Sequence, residues 1–224
     1  MADRETAPSP RVATVGRGFA RAVPDAALLS LEVWAELDTP EAALAEVARR
    51  TEVLQGVLDR AGVDAADRST AGVSLSERWE YKHDEQVFVG YRASTVVSAR
   101  MEDLAALGAV ISESTHEAQA RPDGPVWQID PDNPARVEAC RAAAEDARRK
   151  AEAYASALGL RLGDVLSIRE PGSRARPPRR PAMRAMALAA GGGAPDMPVE
   201  SGDVDVAAAV TVVFELVDEQ SATG

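Results

Sequence analysis

The stretch that most restricts the folds open to this chain runs from Asp132 to Glu170, where start, period and stop signals agree. Asn133 or Asp132 can cap a helix, Pro134 suits its first position because the missing N–H would be unpaired there, and Gly159 can take the left-handed conformation that ends it. Val137, Cys140, Ala144, Ala147, Ala151, Tyr154 and Leu158 fall three and four residues apart, which predicts one buried stripe. Arg141, Glu145, Arg148, Arg149 and Glu152 lie elsewhere on the cylinder. A stripe made mostly of alanine lets a helix lie close against a flat partner, and a sheet offers such a surface. A strand from Val165 to Arg169 is expected to follow. This is an architecture and carries no activity by itself.

Around this centre the pattern alternates between strands and helices. Residues 1–10 read as a tail, and Arg11 to Val23 alternates weakly as a strand containing VGRGF. After a turn at Pro24 and Asp25, Leu29, Leu31, Val33, Ala35 and Leu37 share one face of a second strand, and the two are expected to form a hairpin. Thr39 and Pro40 open an amphipathic helix carrying Leu44, Val47, Thr51, Leu54 and Leu58, which stops at Gly62. Arg68 to Lys82 and Val87 to Arg100 return to period two around the polar turn HDEQ, predicting a second, longer hairpin. Leu104, Leu107 and Ile111 mark a short helix, and Val126 to Ile129 a short strand. Residues 171–198, rich in proline, glycine and arginine, read as a flexible excursion. Val204 to Leu216 then alternates through seven apolar positions, the clearest strand signal in the chain. The expectation is a single α+β domain over residues 11–217, antiparallel hairpins with amphipathic helices packed on the sheet, and a tail at 218–224.

Composition narrows the function classes. The formal net charge of −11 argues against general nucleic-acid binding, which needs a basic surface for phosphates. A lone cysteine, Cys140, allows no internal disulfide and is expected to be a small core residue. No stretch approaches the roughly 18 apolar residues of a transmembrane helix. MADRETAPSPRVATV shows no secretory signal as written, which predicts a cytoplasmic protein.

VATVGRGFARAVPDAALLSLEV, VSLSERWEY with GYRAS, DARRKAEAYASALGLRLGDVLSI and PVESGDVDVAAAVTVVFEL occur in this order over about Arg11 to Leu216. Together they resemble the SIMPL-domain proteins, a mostly bacterial family of poorly defined activity. The resemblance implies an α+β fold with helices on antiparallel strands, and for some members self-assembly or stress protection. It also implies the cell envelope as an alternative location, since many members carry an export signal that this N-terminus lacks. The segment after Ser114, with His116, Pro122 and Pro125, departs from the family pattern.

Candidate chemistry is sparse. Gly16-Arg17-Gly18 lacks the third glycine and the following helix of a phosphate loop, so close backbone approach is the better reading. His83, Asp84 and Glu85 are adjacent and hence poorly placed to converge on one metal ion. His116 with Glu117 has no second histidine at helical spacing and reads as a solvated loop. No nucleophile elbow is present. No cofactor, metal or catalytic residue is therefore assigned, and the protein is expected not to be an enzyme, with an unrecognised hydrolase ranked last. Two features suit binding. Trp34, Trp79, Tyr81, Phe88 and Tyr91 concentrate in the hairpins and would form an aromatic surface if no helix covers them. Arg174, Arg176, Arg179, Arg180 and Arg184 could dock on an acidic partner, although a solvated linker is the simpler reading. The expectation is a homo-oligomer, or a partner-binding protein, that associates through sheet edges and hairpins. A peptide- or small-ligand-binding module using the hairpin aromatics is the alternative.

Overall fold

In a computed structural model of the chain, which describes residues 10–82, 85–170 and 201–218, two twelve-residue strands come first, β1 (Arg11–Ala22) and β2 (Ala26–Leu37). They do not form the expected hairpin, because each has partners far away in sequence. β1 pairs antiparallel with the last strand, β8 (Val204–Asp218), whereas β2 lies between β5 (Glu85–Met101) and β6 (Arg121–Gln128). Asp25, expected in a hairpin turn, instead donates its N–H to the Gln128 carbonyl, and its carboxylate accepts from the Asp130 N–H at 2.7 Å. The chain divides into two compact units, and residues 23–130 belong to the second.

The first unit contains β1, helix α3 (Pro134–Ala157), β7 (Leu160–Arg169) and β8, with its three strands in the order β1-β8-β7. Asn133 caps α3 by accepting from the Ala135 N–H, Pro134 follows it, and Gly159 takes φ +69° beyond the helix end. The buried stripe of α3 shares only Ala147 and Ala151 with the one expected. Ala135, Ala139, Ala143, Ala147, Ala151 and Ala155 are buried, whereas Val137, Tyr154 and Leu158 are 53%, 58% and 69% exposed and Cys140 also faces solvent. The reason lies in β1. A Cβ added to Gly16 would stand 1.9 Å from the Ala143 carbonyl oxygen, and one on Gly18 would stand 2.0 Å from that of Ala139. Only methyl groups, repeated every fourth residue, fit a helix so close to a strand. Val212, Phe214 and Leu216 of β8 are buried, as the alternation in that strand predicts, and Val212 and Phe214 pack with Ala147 and Ala151.

The second unit is a five-stranded sheet in which β3 (Arg68–Thr70), β5, β2 and β6 follow in that order and β4 (Ser74–Lys82) lies alongside β5. The run from Arg68 to Lys82 is broken into β3 and β4, both paired to β5. Helices α1 (Pro40–Arg60) and α2 (Leu107–Glu117) contribute to one core with β2 and β5. Leu29, Leu31 and Val33 meet Leu54 and Leu58 there, and each such side chain contributes about 1.5–3 kcal/mol on burial. Thr39 caps α1 as expected, but Leu44 is 39% exposed while Ala43 and Val57 are buried in its place. β6 begins at Arg121 and β7 at Leu160, both earlier than the apolar runs alone suggest. The resulting α+β architecture of antiparallel sheets with packed helices is the one anticipated. The excursion at 171–198 and the tails lie outside the described residues, apart from Pro10 and Asp218.

Candidate functional site

β4 and β5 pair from Ser74↔Ser94 to Lys82↔Glu85, and β4 is exposed along most of its length. The pairing slips once, between Arg78 and Trp79: Arg78 lies opposite Gly90 but Trp79 opposite Phe88, so β5 holds one extra residue there. Gly90 makes the slip possible, because its φ is +132° and a Cβ would stand 2.7 Å from the Leu37 carbonyl oxygen. In a regular strand Phe88 and Tyr91, three residues apart, would point to opposite faces. The extra residue restores them to one face.

The result is a chain of rings. Trp79 and Phe88 meet edge to face with centroids 5.4 Å apart, and Phe88 and Tyr91 do the same at 5.3 Å. Each such contact adds about 0.5–1.5 kcal/mol beyond its burial. Tyr91 packs against the core of the second unit, while Trp79 is 52%, Phe88 41% and Tyr81 73% exposed. Tyr81, two residues beyond Trp79, extends the same face by alternation. The Trp79 indole N–H donates to Glu77 at 3.2 Å. Four of the five aromatics singled out from the sequence therefore share one face, Trp79, Tyr81 and Phe88 on a two-stranded arm and Tyr91 at its root, where β2 also pairs with β5.

Trp34 does not join them. It lies on the opposite face of the sheet, where the Arg92 guanidinium sits 4.7 Å from its ring centroid. That face is a ladder of charge. Arg92 pairs with Glu32 and Glu36, and Arg78 pairs with Glu36 and Glu80. The aromatic face is thus backed by an ion-pair network, and the charge described on the aromatic side is the Glu77 carboxylate held by the Trp79 indole.

The remaining candidates are dispersed. His83 and Asp84 lie outside the described residues, as do Arg174, Arg176, Arg179, Arg180 and Arg184. His116 stands in the last turn of α2 instead of a loop, and its neighbour Glu117 is paired with Arg60. Among the described residues no three His, Cys, Asp or Glu side chains gather as a metal site would require, and no helix is long and apolar enough to cross a membrane. Gly16 and Gly18 serve close packing, as their strand context suggests.

Sequence reasoning missed a second constellation, on α3. Asp146 accepts the Arg17 N–H at 2.9 Å, Lys150 donates to the Val15 carbonyl at 2.9 Å, and the two side chains pair at 2.6 Å. Lys150 and the Arg17 N–H hold the Asp146 carboxyl down at about 2. The sequence showed only an Asp and a Lys four residues apart on a helix.

The model of the SIMPL family, described as "Protein of unknown function (DUF541)", matches residues 12–214. The chain belongs to this family. Relatives of this SIMPL protein include the "26 kDa periplasmic immunogenic protein" of Brucella melitensis, 32% identical over 92% of this chain and 84% of that one. Two others are the "Uncharacterized protein YggE" of Edwardsiella ictaluri, 28% identical over 95% and 89% of the two chains, and its namesake in Escherichia coli, 25% identical over 95% and 87%. The family is one of undefined activity.

Proposed function

We propose that this SIMPL protein works without catalysis, by protein association, and that it assembles with copies of itself through the aromatic arm. The observation that supports this reading is the row Trp79, Phe88 and Tyr91, continued by Tyr81, which runs from the root of the sheet at Tyr91 out along an arm with only two strands. Such a ribbon is marginally stable in water unless something packs on its apolar face. Aromatic side chains with few rotatable bonds lose little entropy on being covered, which is why they anchor interfaces. No nucleophile–base pair accompanies them among the described residues.

Light scattering on a chromatographically separated concentration series tests this. The wild-type chain is expected to run as a multimer, and Trp79→Ser with Phe88→Ser to shift it towards the monomer while its circular dichroism is retained. A wild-type monomer at every concentration sinks the reading. The second reading, a peptide- or small-ligand-binding module using the same rings, is favoured by Tyr81, which lies beyond the ring chain and is the most exposed of the four. A monomer whose Trp79 fluorescence changes on titration with aromatic or proline-rich peptides would favour it.

We further place the protein in the cell envelope. A relative named periplasmic, alignable over 92% of the chain, supports this, whereas the cytoplasmic expectation drew only on the first fifteen residues and gains nothing from the relatives. A stress-protective role belongs to the same proposal and would appear as poorer survival of a deletion strain under heat or oxidant.

A further inference from the structure

The three-stranded sheet of the first unit has two edges of unlike character. Strand edges expose unpaired N–H and C=O groups that template pairing with another chain. At β1 this is countered, because Asp146 and Lys150 of α3 occupy the Arg17 N–H and the Val15 carbonyl. Among the described residues no strand pairs with the outer edge of β7.

β7 carries Val165, Leu166 and Ile168 at 52%, 51% and 66% exposure. Val165 lies opposite Phe214 and Ile168 opposite Val212, residues of β8 that pack against α3. Although three residues apart, both therefore sit on the helix side, because the pairing slips between Val165 and Ser167. Asp164 and Arg169 flank them, both exposed and without an ion-pair partner among the described residues.

We propose that β7 pairs antiparallel with β7 of a second copy, about a two-fold axis between Leu166 and Ser167. This rests on the self-assembly proposed above and gives it a second surface. In that register Val165 meets Ile168 of the other copy and Asp164 meets Arg169 of the other copy, each twice by symmetry. An axis normal to the sheet keeps helix sides together, so the four branched side chains form one patch flanked by the two α3 helices. Moving the axis to Val165, a slip of three residues, would oppose Arg161 to Arg169, a like-charge pair that disfavours that register.

The full chain tests this in two ways. Asp164→Arg and Arg169→Asp are each expected to weaken the dimer step at least about tenfold by light scattering, and the two together to restore it. Val165→Cys with Ile168→Cys, in a Cys140→Ser background, is expected to give a covalent dimer on oxidation. Thermal melts confirm that each variant is folded. Rescue by the double reversal is not expected of a folding defect. A monomeric wild type overturns both this inference and the self-assembly reading. A wild type that assembles, with reversals that leave assembly unchanged or a double reversal that fails to restore it, overturns β7 pairing alone and leaves the aromatic arm standing.

Discussion

Two glycines decide how near α3 can come to β1. Gly16→Ala or Gly18→Ala places a methyl inside backbone atoms of Ala143 or Ala139, and backbone cannot rotate aside as a flexible side chain can. Each is expected to cost about 3 kcal/mol, the upper end of overpacking, as a lowered urea midpoint with unchanged slope. The GRG step was legible as a place of close approach, but not what approached it, since the helix follows more than a hundred residues later. Cys140 was misjudged for the same reason: a three-four stripe exists on α3, but the face used is set by the glycines opposite. Asp146 titrates at about 2, below its usual 3.8, held by Lys150 and the Arg17 N–H. A depressed folded-state pKa contributes stability that is fully present above the unfolded value and lost as pH falls through the folded one. Stability should therefore decline between about pH 4 and about pH 2, and Asp146→Asn should remove part of that decline in acid denaturation followed by circular dichroism.

At the level of elements, helix caps and strand alternation were readable, because Thr39, Asn133 and the β8 pattern act through near neighbours. Pairing was not. β1 and β2 looked like a hairpin because adjacency is the default, and the competing partner of β1 is at the other end of the chain. β8 is the central strand of its sheet, so a stop before Val204 removes the partner of both β1 and β7. It also removes Val206, Val212, Phe214 and Leu216 from the core, at about 1.5–3 kcal/mol each, against a typical net stability of about 5–15 kcal/mol. The truncated chain is expected to aggregate or to lose its cooperative melt; a soluble, cooperative product would show that the first unit holds without its middle strand. The aromatic arm lay between these cases. Its residues and its hairpin were legible, and Gly90 inside a strand run was the available sign of the bulge, yet the sharing of one face by Phe88 and Tyr91 depends on a register that the sequence does not display.

For the whole molecule, we propose that the two units make up the single domain expected from the sequence, since one family model spans both. Trp34, Trp79 and Trp127 all lie in the second unit, so indole fluorescence reports on it alone. Far-ultraviolet circular dichroism also sees the 24 residues of α3 in the first. Coincident thermal transitions by the two probes are expected of one domain, and separate midpoints would divide the chain in two. The order of the strands has a further consequence in time. Arg11 pairs with Glu215, so the first strand waits for the last. A ribosome finishes β8 almost 200 residues after β1, roughly 10 to 40 s later at about 5–20 residues per second. Residues 23–130 are complete well before then, but β1 has nothing to pair with until synthesis is nearly over. During that interval its apolar alternation is open to any factor that holds nascent chains extended, the state in which a polypeptide is threaded across a membrane.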